Sequence, residues 1–374
     1  MNMKHPTLRR APSAGRRTQA GLTLIELMVA LLLGMIVVAA AGAVFLSNKR
    51  VYAASETLGR IQENERVAFE LMSRDIREAG GNLCSMSAQL VSQLKSGDNA
   101  WWTSYGRGLR GYTGSQTAPG TTTGSGTAQR VAGTDAVDLH LANEGDIRVV
   151  SHENPSANLQ VNSVAGISAG DVLMVCNMDY AFIFEATQIT SAGGVSGIQH
   201  NGGASASIGN CGNEFQHVRN CAAGASGSNG YCFMVADLTS VNPNCDKFSN
   251  SPASVARVAT SRWYIGNNGR GGRSLYRSRV TNTSGTETPN NVAPEEIAEG
   301  VRDMNIHYLS AGGTAYATAD AVTDWSQVAA VRVELVFEGT AGALSGSYIQ
   351  GTDGEALSRS VTNVVALRNR EALL

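Results

Sequence analysis

The feature that most constrains this chain is one long apolar run near its start. Residues 21–46 read GLTLIELMVALLLGMIVVAAAGAVFL, and the single charge in this run is the carboxylate of Glu26. From Leu27 to Leu46 the run contains neither a charged residue nor a proline. A helix of this length spans about 30 Å, the thickness of a bilayer's hydrocarbon core. We therefore predict a membrane-spanning helix over residues 22–46.

The charges on either side of the run predict its orientation. The preceding segment has no acidic residue, and its basic residues are Lys4, Arg9, Arg10, Arg16 and Arg17. Only Lys49 and Arg50 follow the run closely. The excess of cations places the N-terminus in the cytoplasm and the bulk of the chain outside. A secretory signal peptide is the main alternative, but its cleavage site would follow a shorter apolar core, whereas the small residues Ala39–Ala43 lie deep inside this run.

The order of basic leader, Gly21, apolar residue, Thr-Leu-Ile-Glu and apolar helix resembles the signal of type IV pilins and type II secretion pseudopilins. The resemblance implies that residues 1–21 are a leader, removed after Gly21 by a prepilin peptidase. It makes Leu22 the N-methylated first residue of the mature chain, although pilins most often begin with Phe. It also assigns Glu26 to docking, through contact with the terminal amino group of a neighbouring subunit. An unpaired carboxylate at membrane depth would cost several kcal/mol.

The helix is predicted to continue beyond the membrane as an amphipathic segment over residues 47–80. Apolar residues recur there at steps of three and four, at Leu58, Ile61, Ala68, Met72, Ile76 and Ala79. Gly80 and Gly81 are typical of a helix end. We expect one helix from Leu22 to about Ala79, whose second half packs on a globular head.

Residues 81–374 have the pattern of a β-rich head. Alternating apolar residues predict strands with one buried face at Val137–Leu141, Val172–Val175, Phe182–Phe184, Trp263–Ile265, Met304–Tyr308, Val331–Phe337 and Val361–Leu367. The Asn-Asn-Gly within Ile265–Leu275 indicates a hairpin. Strands that follow one long helix predict an α+β fold. We expect the helix to pack on an antiparallel sheet, with a β-rich insertion at roughly 133–250.

Several segments resemble the PilW family of minor pilins. The most specific is GRIQENERVAFELMSRDIREAGGNLC at 59–84, and similar segments follow in family order at 171–187, 261–277, 297–309, 328–337 and 364–370. The resemblance implies a type IV pilin-like fold. It also implies a minor pilin that primes pilus assembly and forms part of a tip complex. The implied partners are other minor pilins, the major pilin, a tip adhesin and, during processing, the prepilin peptidase. The implied locations are the inner membrane, with the head in the periplasm, and later the pilus tip.

Six cysteines fall on the non-cytoplasmic side: Cys84, Cys176, Cys211, Cys221, Cys232 and Cys245. An even number in an oxidising compartment predicts disulfides, and six cysteines allow fifteen pairings. A zinc site is the alternative for the last four, but no C-x-x-C pair is present. Because Cys84 follows the helix and Cys176 ends a strand expected to lie on it, we predict that these two pair. The remaining four then form two bridges inside the insertion.

The charge balance bears on partners. Removing the leader takes away five of the 29 basic residues and none of the 31 acidic ones, which leaves a net charge of about −7. Nucleic-acid binding depends on a cationic surface, so no nucleic-acid partner is expected. A local patch at Arg262, Arg270, Arg273, Arg277 and Arg279 is the exception to consider, and we interpret it as a solvated hairpin.

The sequence contains no arrangement that indicates catalysis or a cofactor. The histidines at 5, 140, 152, 200, 217 and 307 are scattered, and none belongs to H-E-x-x-H or to a serine nucleophile elbow. We therefore expect no enzymatic activity, no cofactor and no metal. Two alternatives to a minor pilin stay open: a J-like minor pseudopilin of type II secretion, and a membrane-anchored periplasmic enzyme or binding protein.

Overall fold

A computed structural model of the chain describes residues 21–80, 84–85, 87–95, 101–105, 108–153, 157–192, 195–202, 209–221, 230–280, 294–339, 354 and 356–368. The chain divides into two compact units, Met1–Ser55 and Glu56–Leu374. The described part of the first unit is helical from Leu24 onward, and the second contains the end of the same helix and every described strand.

The helix α1 runs from Leu24 to Glu78, two residues inside the predicted start and one inside the predicted end. It ends where glycine was expected, because Gly80 adopts the left-handed conformation with φ +70°. The Gly80 N–H donates to the carbonyl of His140 at 2.9 Å. The chain therefore leaves the helix directly beside a strand of the head.

The described strands all follow α1. They are β1 (Gln89–Ser92), β2 (Leu109–Tyr112), β3 (Ala136–Ser151), β4 (Asn158–Val161), β5 (Val172–Cys176), β6 (Tyr180–Glu185), β7 (Gln188–Ala192), β8 (Val195–Gln199), β9 (Tyr231–Cys232), β10 (Lys247–Phe248), β11 (Ser254–Asn267), β12 (Arg273–Val280), β13 (Glu295–Glu299), β14 (Val301–Ser310), β15 (Val328–Glu338) and β16 (Ser358–Ala366). A 3-10 helix, Trp325–Gln327, precedes β15. Each of the seven predicted strand patterns overlaps a strand, and the α+β prediction is confirmed.

An eleven-stranded sheet has the order β1-β6-β5-β11-β3-β4-β8-β7, with β12 and β13 continuing from β11 and with β2 beside β3. The predicted insertion supplies β3 to β8 of this sheet, so it extends the sheet. Neighbouring strands of this eleven-stranded sheet pair antiparallel, except that β1 pairs with β6 in parallel. No hairpin joins β1 to β6, so chain direction is not fixed by a turn. Strand β5 is buried on both faces, whereas the alternation of apolar residues had predicted one buried face.

A second sheet is three-stranded and antiparallel, with the order β14-β15-β16. The second half of α1 packs into a core shared by both sheets. Its buried face presents Ile61, Ala68, Phe69, Met72 and Ile76. These residues cluster with side chains of the larger sheet such as Leu139 and Ile265, and with Val331, Leu335 and Val365 of the smaller sheet. The predicted packing of the helix on an antiparallel sheet is confirmed.

Candidate assembly site

The bond between Gly21 and Leu22 lies in non-helical backbone just before α1. Both residues are exposed, Leu22 to 78%. A Cβ placed on Gly21 would have no other atom within 4 Å. The two residues of the predicted processing junction are therefore exposed. The rest of the predicted leader, residues 1–20, lies outside the described residues.

Glu26 belongs to a capping box at the start of α1. Thr23 is the N-cap, and its hydroxyl oxygen accepts from the Glu26 N–H at 3.3 Å. In return, Glu26 Oε2 accepts from the Thr23 N–H at 3.0 Å and from the Thr23 hydroxyl at 2.9 Å. These bonds satisfy two of the N–H groups that a helix start leaves without a partner.

The capping role of Thr23 was not predicted, although the sequence carries its signal. Thr-Leu-Ile-Glu is an S/T-x-x-E pattern before an apolar run, which is the signature of this cap. Both bonds to the carboxylate use Oε2. Among the described residues Oε1 makes no hydrogen bond, so the exposed carboxylate keeps one oxygen for an incoming cation.

The first unit presents an apolar helix surface. Its large side chains from Leu24 to Leu46 are all more than half exposed. Over the described residues α1 is the one helix long and apolar enough to cross a membrane, with a mean hydropathy of 2.7 in its most apolar window. A surface of this kind requires lipid or other apolar helices around it.

In the second unit, α1 is tied to the larger sheet by a buried carboxylate. Asp75 accepts from the indole N–H of Trp263 at 3.0 Å, and Arg277 Nη1 lies 3.7 Å from Asp75 Oδ2. Burial raises the pKa of Asp75, and the charge of Arg277 opposes that shift. Asp75 belongs to residues 59–84, the segment with the most specific resemblance to the PilW family. This segment thus positions the second half of the helix on the larger sheet.

The structure joins the six cysteines in three disulfides. Cys84 is bonded to Cys176, the pairing predicted from the sequence, with their Cα atoms 5.8 Å apart. This bridge fixes the chain just after α1 to the end of β5. Within the predicted insertion, Cys211 is bonded to Cys221 and Cys232 to Cys245.

The Cys84–Cys176 bridge should be the most stabilising of the three. It closes a loop of 92 residues, against 10 and 13 for the others. Chain entropy then predicts about 4–5 kcal/mol for the long loop and about 3 kcal/mol for each short one. Denaturant unfolding of Cys→Ala pairs measures this order. Peptide mapping without reductant checks the pairing, and six free thiols would contradict it.

The interpretation of the arginine run as a solvated hairpin is wrong for Arg262. This side chain is fully buried between β11 and β3, where it pairs with Asp138. Arg270 does lie exposed, but it pairs with Glu296 and Glu299. Because carboxylates face Arg262 and Arg270, neither side chain offers free positive charge to a nucleic acid.

Two buried histidines lie in an aromatic cluster of the head. The His200 ring stacks on Phe215 with centroids 3.8 Å apart, and the His152 ring lies 5.7 Å from His200. Burial lowers the pKa of His200 well below its usual value, and His152 lowers it further. This cluster contributes a titrating group to the head.

We expect the head to lose stability as the pH falls below about 6.5. Below that pH the unfolded chain binds a proton at His200, while the folded chain does not. The contribution of the neutral, buried His200 to the free energy of unfolding is therefore fully present above about pH 6.5. The loss should approach about 1.4 kcal/mol per pH unit until the folded pKa is reached. Denaturant midpoints at pH 7.5 and 5.5 measure it. A His200→Gln variant should show a smaller difference, and an unchanged difference would contradict the assignment.

Two family models match the chain at opposite ends. Residues 262–369 match the type IV pilus-assembly protein W model, and residues 16–42 match the prokaryotic N-terminal methylation motif. A type IV-like pilin from Thermus thermophilus is similar to the chain at 17% identity. That similarity covers 30% of this chain and 68% of that protein, with a TM-score of 0.19. No curated protein matches the chain.

The methylation motif covers the processing junction, the capping box and most of the apolar helix. The pilus-assembly match begins at the buried Arg262 and includes β12 to β16, the strands that complete the core beneath α1. These matches imply membrane anchoring, peptidase processing and pilin partners. The chain therefore resembles the type IV pilus-assembly protein W family over residues 262–369 and carries the prokaryotic N-terminal methylation motif over residues 16–42.

Proposed function

We propose that this chain is a minor pilin that primes assembly of the type IV pilus and enters its tip complex. The observation that carries the proposal is the exposed carboxylate of Glu26, held by Thr23 at the end of an exposed apolar helix. Such an arrangement suits a subunit that docks through its N-terminal helix. The large disulfide-bonded head then offers a surface for neighbouring minor pilins and a tip adhesin.

The proposed sequence of events begins in the inner membrane. The peptidase removes the leader, and the mature chain stays anchored by its apolar helix with the head in the periplasm. Other minor pilins then join it through helices and heads to form the priming complex. Growth by the major pilin carries that complex to the pilus tip. Because Glu26 is present, the subunit can dock beneath another pilin.

Deleting the gene and identifying the proteins that co-purify with a tagged chain from membranes tests the proposal. Loss of surface pili, restored by the wild-type gene, together with recovery of other minor pilins supports it. A J-like pseudopilin of type II secretion is the alternative. Normal piliation with recovery of secretion pseudopilins would favour that alternative and contradict the pilus assignment.

Processing gives a separate prediction. The mature membrane protein should begin at Leu22 and carry one N-methyl group, as read by intact mass and N-terminal peptide analysis. Gly21→Leu should block cleavage by acting on the peptidase, because the structure leaves room for a side chain at this position. A mature chain that begins within Ala39–Ala43 would show signal-peptide cleavage instead.

A further inference from the structure

We propose that the free edge of strand β1 binds an extended segment of a partner protein, and that this segment carries an acidic residue. Among the described strands β1 pairs with β6 alone, so it forms one edge of the larger sheet. An edge strand presents main-chain groups that can pair with a further strand. The inference concerns the head and does not depend on the docking role proposed for Glu26.

The hydrogen bonds of β1 show which of its main-chain groups face outward. The N–H groups of Gln89 and Gln93 donate, at 2.9 and 2.7 Å, to carbonyls of β6 and of the residue just before it. Because alternate residues of a strand face the same neighbour, Leu90 and Ser92 face away from β6. Both are partly exposed, and neither has a main-chain hydrogen bond to another segment of the described chain. Two N–H and two C=O groups are therefore available to an added strand.

Two adjoining clefts lie beside this edge. The first has a volume of about 380 Å³, and it lies between Gln89–Ser92 and residues 217–219. The second has a volume of about 690 Å³ and also borders Gln89. Both volumes are within the range of binding clefts. A strand added to β1 would thus have space for its side chains along the edge.

Exposed apolar side chains gather at these clefts. In the described part of the head outside α1, six large apolar side chains are exposed, and three of the six line the two clefts. They are Met178 at 61%, Val218 at 59% and Phe248 at 42%. A cluster of exposed apolar side chains marks an interaction surface. The side chains on one face of an added strand would cover it.

The far wall of the first cleft is fixed in place. The disulfide between Cys211 and Cys221 closes the loop that carries this wall. Within that loop, Arg219 Nη2 donates to the carbonyls of Leu94 and Lys95, just beyond β1, at 3.0 Å each. A site that is ordered before binding loses less conformational entropy when a ligand arrives.

Charge selects the class of segment. Arg219 is exposed, and no carboxylate belongs to the described residues that line the first cleft. The carboxylate of Asp246 lies outside that lining, 3.2 Å from His217. An acidic side chain on the added strand can therefore pair with Arg219. Residues 87–95 of a second copy contain no acidic residue, so pairing of two β1 strands would not supply one from the added strand.

The test measures binding of synthetic peptides to the full chain in detergent micelles by fluorescence anisotropy, with empty micelles as the blank. The probes are short peptides of alternating valine and threonine with one aspartate, placed at the N-terminal end in one probe and at the C-terminal end in the other. Both are needed because an added strand can run in either direction. We expect saturable binding of one probe, and binding about three- to tenfold weaker when its aspartate is replaced by lysine.

Variants of the chain test the edge and the cleft separately. Ser92→Pro removes an outward N–H without removing a bond to β6, and proline is tolerated at such a position of an edge strand. It should weaken binding about tenfold or more, whereas Ser92→Ala keeps the N–H and should bind normally. Val218→Asp should weaken binding about three- to tenfold. Val364→Asp, at a residue 56% exposed on the smaller sheet, is its matched control and should leave the affinity unchanged.

Absence of saturable binding by both aspartate peptides would overturn the proposal. So would equal affinity in Ser92→Pro and Ser92→Ala, or equal binding of the lysine peptide. A dimer that Ser92→Pro disrupts, seen by sedimentation equilibrium, would assign the edge to a second copy of the chain and also overturn it. The measurements use the purified chain, so their outcome is distinct from whether the chain primes a pilus.

Discussion

Replacing Asp138 with Asn should destabilise the head by about 3–5 kcal/mol, because it leaves the buried guanidinium of Arg262 without a counter-charge. Neither side chain is more than 1% exposed. Arg262 Nε donates to Asp138 Oδ1 at 2.5 Å and Arg262 Nη2 to Oδ2 at 2.7 Å, a bidentate arrangement. Asp138 also accepts from the Tyr112 hydroxyl at 3.0 Å. One substitution therefore disturbs β2, β3 and β11 together.

The experiment compares free energies of unfolding of the full chain in micelles, followed by tryptophan fluorescence. Arg262→Met should cost a similar amount, since it leaves Asp138 buried and unpaired. The double variant, with Leu at 138 and Met at 262, should lose less than the two single variants together. Arg270→Met is the matched control on the same hairpin. That arginine is about half exposed, so its loss should change stability by less than about 1 kcal/mol.

A change in Asp138→Asn no larger than in Arg270→Met would contradict this assignment. It would mean that water or a rearranged side chain reaches Arg262. Additive effects in the double variant would likewise show that the two side chains do not act as a pair.

Local patterns were enough to predict α1 and seven of the strands. The uncharged apolar run from Leu27 to Leu46 leaves few alternatives to a long apolar helix. Gly80 marks the end of that helix in both the sequence and the structure. Alternation likewise located β14 and β15, because each buries one face against the core. The capping box of Thr23 and Glu26 was also present in the sequence as a local signal.

The other features of the fold, which the sequence did not predict, depend on contacts between residues that are distant along the chain. Arg262 looks like a surface residue of an arginine-rich hairpin until its partner, 124 positions away, is brought beside it. The parallel pairing of β1 with β6 and the merging of the insertion into the large sheet are set by the order of strands across the fold. Alternation within one strand says which face is buried but does not specify the neighbouring strand.

Glu26→Gln should reduce recovery of partner minor pilins on the order of tenfold or more, and surface pili with it. On our proposal, the carboxylate meets the terminal amino group of a neighbouring pilin at membrane depth. Losing one member of a desolvated charge pair costs about 2–5 kcal/mol. Gln retains an oxygen that can accept from the Thr23 N–H, so the cap is largely kept. Glu26→Gln thus removes the charge selectively, whereas Glu26→Ala removes both charge and cap.

Thr23→Val is the matched control because it removes the capping hydroxyl and keeps the carboxylate. Loss of an N-cap costs about 1 kcal/mol, so this variant should assemble with a several-fold defect at most. The measurements are pull-down of partner minor pilins and a count of surface pili at equal protein levels, with leader cleavage verified by mass. If Glu26→Gln assembles normally while Thr23→Val and Glu26→Ala are equally defective, Glu26 serves the helix cap alone. The order expected here, with Glu26→Gln far more defective than Thr23→Val, follows only if the charge itself meets a partner.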